Sequence, residues 1–75
     1  MTRLPSCTAR DVERALNRKG LVCVHQKGSH RYFADPRNGK IITTVPMHPG
    51  DIPRWLLKKI IKDIGLSEDE FSALL

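Results

Sequence analysis

The dipeptide Asn38-Gly39 restricts the fold more than any other feature, because it sits between two strand-like runs, "HRYFA" at 30–34 and "KIITTV" at 40–45. Asn-Gly readily takes the positive φ angles of a type I′ turn, whose twist matches that of paired strands. The segment "DPRNGK" is therefore predicted to be a hairpin connection. Upstream, "LVCVH" at 21–25 is short, apolar and β-branched, which predicts another strand, and "QKGS" at 26–29 is a compact turn. Three strands joined by two short turns form an antiparallel meander.

The flanking segments have helical spacing. Thr8 with Asp11 resembles a capping box, Ala9, Val12, Ala15 and Leu16 recur on one face, and Gly20 supplies a stop, which predicts a helix over residues 9–19. "PMHPGDIP" holds three prolines and a glycine and is predicted to be a loop. From Arg54 to Ile64 the residues Leu56, Leu57, Ile60, Ile61 and Ile64 share a face, closed by Gly65. Ser67 with Glu70 opens a short last helix carrying Phe71, Leu74 and Leu75. The order α-β-β-β-α-α predicts an α+β fold, a three-stranded sheet with helices on one face.

A chain of 75 residues makes one small domain, burying roughly 60% of its unfolded surface, with no room for a deep substrate cavity. Thirteen Lys and Arg against eight Asp and Glu leave a charge of +5. Such a balance suits an anionic partner, either nucleic acid or an acidic protein surface. No apolar run suits a signal peptide or a membrane span, so a cytoplasmic location is expected. Cys7 and Cys23 form no Cys-x-x-Cys pair and are read as reduced thiols, with Cys23 buried between Val22 and Val24.

The candidate chemistry gathers around "HQKGSHRYF" at 25–33. His25 ends the first predicted strand and His30 begins the second, so their rings are expected to meet at one end of the sheet. An imidazole, with a reference pKa of ~6.5, can take or give a proton at neutral pH. That suits RNA cleavage, where a base removes the 2′-hydroxyl proton and an acid protonates the leaving 5′-oxygen, without a metal. From spacing alone, both histidines also read as surface residues with no task. Lys27, Arg31, Arg37 and Lys40 cluster at the hairpin ends, and Gly28 with Ser29 offers amides and a hydroxyl to a phosphate. A solvated basic turn has the same composition. Tyr32 is suited to stacking on an unpaired base or to core packing, and Phe33 to the core. Alternation puts His30 and Tyr32 on one sheet face and Arg31 and Phe33 on the other.

On the wheel of the second predicted helix, Trp55 points away from the apolar stripe and falls among Lys58, Lys59 and Lys62. It either forms a binding surface for nucleic acid or a partner protein, or folds back over the "PMHPGD" loop. No metal site is expected, since His25 and His30 are five apart, His48 lies in the proline-rich loop, and no carboxylate cluster accompanies them. A Ser-His-Asp hydrolase is disfavoured by the missing pocket and nucleophile turn.

"GLVCVHQKGSHRYF", then "NGKIITTVPMH", then a helix ending in "GLS" resembles the HicA toxin family, the small mRNA-cleaving partners of HicB antitoxins. The resemblance runs from the first helix to Ser67. It implies a fold similar to a double-stranded RNA-binding domain, with His30 as the catalytic histidine and Gly28 and Ser29 before it. It also implies metal-independent, ribosome-independent mRNA cleavage, and inhibition when an antitoxin covers the active face. After "VPMH" the chain departs from the family, placing Pro49, Pro53 and Trp55 where relatives carry a lysine- and glycine-containing loop and a Gly-Thr helix start.

The expectation is thus a single HicA-like domain over residues 1–75. His30 acts as general acid or base, Lys27 and Arg31 meet the phosphate, and Gly28, Ser29 and Tyr32 complete an RNA site. Trp55, Lys58, Lys59 and Lys62 face a partner, a HicB-type antitoxin, and no cofactor is needed. The rivals are a non-catalytic RNA-binding module of the same fold and a small DNA-binding domain.

Overall fold

A computed structural model of the chain describes residues 4–75. Residues 1–3, the start of the segment expected to hold no signal sequence, lie outside them. The elements run α1 (Ala9–Lys19), β1 (Val22–Lys27), β2 (His30–Ala34), β3 (Ile41–Pro46), α2 (Arg54–Asp63) and α3 (Glu68–Ser72). The sheet is an antiparallel meander in the order β1-β2-β3, as predicted.

Both capping boxes form. The Asp11 amide donates to the Thr8 hydroxyl at 3.2 Å and the Thr8 amide to the Asp11 carboxylate at 3.0 Å. The same reciprocal pair joins Ser67 and Glu70 at the start of α3. These bonds satisfy amides that the first helical turn leaves without partners. The predicted apolar faces are buried: Val12, Ala15 and Leu16 from α1, Leu57, Ile60 and Ile61 from α2, and Phe71 from α3. They enclose Phe33 and Val45 of the sheet in one core, against which Leu56, Leu74 and Leu75 pack half-buried. No helix among the described residues is long and apolar enough to cross a membrane.

The sheet face that meets the helices is identified by side-chain bonds. Arg31 on β2 reaches Glu13 on α1, and Thr43 on β3 donates to Asp63 on α2 at 3.1 Å. Arg31 and Phe33 therefore point to the helical side, and His30 and Tyr32 to the open side, the parity expected.

Three details differ from expectation. The first hairpin is tighter: pairing continues to Lys27↔His30, leaving only Gly28 and Ser29 in the turn. Gly28 has φ 59° and Ser29 a negative φ, the pattern of a type II′ connection. The second hairpin is wider. Asn38 has a negative φ, so no type I′ turn exists, and Gly39 alone is left-handed at φ 69°. Pro36 is the physical reason, since its fixed φ suits the second position of a type I turn beginning at Asp35. Accordingly the Asp35 carbonyl accepts from the Asn38 and Gly39 amides at 3.3 and 2.8 Å. The Asp35 carboxylate binds the Arg37 amide and guanidinium, which lowers its pKa to about 2.

The third difference concerns the cysteines. Both are free, but Cys7 is the buried one and Cys23 is exposed. α1 and α2 pack over β3 and the adjoining part of β2, so the edge strand β1 stays solvent-exposed along its whole length. Its apolar composition therefore marks strand propensity and not burial, and Val22 and Val24 are exposed with Cys23.

Candidate active site

The site is built by two backbone connections. The Gly28-Ser29 turn sets Lys27 and His30 opposite each other at the end of β1 and β2. The Gln26 side-chain amide donates to the Gly28 carbonyl at 3.2 Å and steadies the turn. A β-carbon at Gly28 would meet nothing within 4 Å, so the turn is open to an approaching group.

The second connection is the proline-rich loop after β3. The Met47 amide donates to the Ser29 carbonyl at 2.6 Å, which extends the β2–β3 ladder one step past Pro46. At the far end the Ile52 amide donates to the Cys7 carbonyl at 2.7 Å, Asp51 bridges to Thr8, and the Arg54 guanidinium donates to the Leu4 carbonyl. A loop pinned at both ends holds its middle in place despite lacking regular structure.

This anchoring sets His48 beside His30. Their ring centroids are 6.1 Å apart with the planes at 86°, and both side chains are exposed. Among the described residues no group of three or more His, Cys, Asp or Glu forms around them. Two exposed imidazoles this close can each exchange a proton with a different atom of one small polar group.

The expected pairing of His25 with His30 does not occur. Because the turn holds two residues instead of four, His25 lies within β1 opposite Tyr32, and their rings are in tilted contact, with centroids 5.3 Å apart and planes at 47°. Tyr32 is half-buried on the open face, so one side of its ring is already covered by His25.

Arg31 also departs from its expected place. It projects to the helical side, where Nη1 meets the Glu13 carboxylate at 2.5 Å and Nε the Gln26 side-chain oxygen at 3.3 Å. Its charge is offset locally, and it does not share the face of His30. It lines a cleft with Thr8, Arg10, His48 and Gly50.

The four residues expected to face a partner separate into two groups. Trp55 is 69% exposed. With Lys59 it lines a groove along the outer edge of β3 that includes His30, Thr44 and Pro46. Lys59 is bound to Asp63 at 2.9 Å. Lys58 and Lys62 border a different shallow groove, against Leu66, Ser67 and Glu68.

His48 is the residue that sequence reasoning passed over. Its position after a strand was the available signal: antiparallel pairing counted back from the second hairpin runs Pro46 alongside His30 and carries the chain's next residues past the turn.

Residues 9–66 of the 75 match the family described as HicA toxin of bacterial toxin-antitoxin. No curated protein matches the chain. The matched span runs from the first residue of α1 to the connection before α3, and so includes the sheet, both turns and the histidine pair. The chain belongs to the HicA toxin family of bacterial toxin–antitoxin systems.

Proposed function

We propose that this toxin is an endoribonuclease that cuts mRNA in the cytoplasm without a metal, with His30 as a general acid or base. The observation that carries the reading is an exposed imidazole at the head of a two-residue glycine turn, facing Lys27. Strand pairing fixes the His30 backbone, so its ring is presented to substrate from a defined position at the end of the sheet. Lys27 has no carboxylate within ion-pair distance among the described residues, so it brings a positive charge to a phosphate. Gly28 leaves space for the phosphodiester, and Ser29 supplies a hydroxyl beside it. Tyr32 offers its uncovered ring side to a neighbouring base.

Arg31, bound to Glu13, is left out of the phosphate contact in this reading. The partner is a HicB-type antitoxin whose acidic surface covers His30 and the Trp55–Lys59 groove together, competing with RNA for the same ground. Lys58 and Lys62 extend the positive surface beyond that groove.

The test uses the purified protein, a defined mRNA fragment and a chelator. Wild type cuts, and His30→Ala falls at least 100-fold while retaining RNA binding. Undiminished cutting by His30→Ala would overturn the assignment. Binding without cutting by wild type would make the chain an RNA-binding module. Co-expression of an acidic antitoxin should relieve growth arrest, and failure of any such protein to bind would remove the partner claim.

A further inference from the structure

Cleavage of a phosphodiester by its own 2′-hydroxyl requires two proton transfers on opposite sides of the phosphorus, and one imidazole cannot take one proton and give another at the same moment. We infer that His48 is the second proton-transfer residue, acting with His30 on the same phosphodiester; the inference rests on the ribonuclease reading above.

In the step, the 2′-oxygen forms a bond to phosphorus as one imidazole takes the hydroxyl proton. The P–O5′ bond breaks, its electron pair stays on the 5′-oxygen, and the other histidine, protonated at the start, gives that oxygen its proton. The products are a 2′,3′-cyclic phosphate and a 5′-hydroxyl end. The two histidines have exchanged protonation states, and water resets them.

Three observations support the pair. The rings lie 6.1 Å apart and both are exposed. His48 is held there by the Met47–Ser29 and Ile52–Cys7 backbone bonds on either side of it. His25 and Tyr32 are instead in tilted ring contact with each other across β1 and β2, and Arg31 is paired with Glu13 on the helical side.

The pair also stands between two clefts. His48 lines the one containing Arg10 and Arg31, and His30 the one containing Trp55 and Lys59. The charged groups lining the cleft with His48 are Arg10 of α1 and Arg31 of β2. Around His30 they are Lys27 of β1 and Lys59 and Asp63 of α2.

The experiment measures kcat/KM for a short RNA across pH, for wild type, His30→Ala, His48→Ala and His48→Gln, each checked for folding by circular dichroism. Binding of an uncleavable 2′-O-methyl RNA is measured in parallel. Wild type should give a bell-shaped profile with one limb from each histidine. Each His48 variant should lose 10²- to 10⁴-fold in kcat and flatten one limb, with RNA affinity changed less than about threefold. A His48→Ala protein within tenfold of wild type and with both limbs intact overturns the inference, while a simultaneous loss in His30→Ala leaves the ribonuclease reading standing. A wild type that cuts nothing removes both.

Discussion

The guanidinium of Arg31 meets the carboxylate of Glu13 across eighteen residues of chain, tying the second strand to the first helix at 2.5 Å. The pair is only partly exposed, with a third of the Arg31 side chain open to solvent. It is therefore screened less than a surface ion pair and holds a cation away from the open face.

Glu13→Gln should release that cation. Stability is expected to fall by about 1 kcal/mol, the upper range for a pair that remains partly solvated. RNA affinity should rise, and the plot of log affinity against log salt should steepen by about 0.7, the increment for one extra phosphate contact on a single strand. Urea unfolding and fluorescence anisotropy over a salt series measure the two effects. An unchanged salt slope would show that freed Arg31 does not reach RNA.

Much of the fold was legible because local and long-range signals agree. Thr8 with Asp11, Ser67 with Glu70, and the apolar stripes of both longer helices each state a boundary or a face in a few residues. The misses arose where two local rules competed. Asn38-Gly39 favours a two-residue turn, but Pro36 favours a turn beginning two residues earlier, at Asp35, and the proline's fixed φ prevails. Cys23 looked buried because β1 is apolar, yet burial depends on where the helices lie, which no residue of β1 encodes. The site was half legible: the turn around His30 is local, whereas His48 arrives through strand register and loop anchoring, both long-range.

Acid should weaken the fold through three identifiable carboxylates. Hydrogen bonds from the Thr8 backbone and hydroxyl hold Asp11 below its ordinary value, those from Ser67 do the same to Glu70, and Arg37 holds Asp35 at about 2. A carboxyl that binds its proton less readily when folded than unfolded stabilises the fold fully above its unfolded pKa. That contribution disappears as pH falls through the folded value. Melting temperature should therefore begin to drop near pH ~4, the usual carboxylate range, and continue toward pH about 2, where Asp35 protonates. Asp35→Asn should be less stable than wild type at pH 7, and the difference should vanish at the acid end. A gap that persists there would assign the loss to something other than the Arg37 pair.

Gly28→Ala tests whether the turn positions His30. A residue with a β-carbon is strained at φ 59°, at a cost of roughly 1–2 kcal/mol. Among the described residues no neighbouring atom lies within 4 Å of the added carbon, so the penalty comes from the backbone. Stability should fall by that amount while circular dichroism keeps its native shape. RNA cleavage should fall further than the loss of folded protein explains, because His30 is the residue that follows the turn. Full activity per folded molecule would mean that His30 tolerates a relaxed turn.

Among the described residues Trp55 is the most exposed of the large apolar side chains, at 69%, and it stands in the same groove as His30. Such exposure contributes little to folding, so Trp55→Ala should change stability by no more than about 0.5 kcal/mol. An exposed tryptophan beside the proposed catalytic histidine is the kind of side chain that anchors a partner, and its truncation there should remove 2 kcal/mol or more, roughly a 30-fold loss in affinity. Titration calorimetry with the antitoxin should show that loss, while RNA affinity changes by less than threefold. The reverse pattern, with RNA binding weakened and antitoxin binding intact, would place Trp55 under a base instead of at the protein interface.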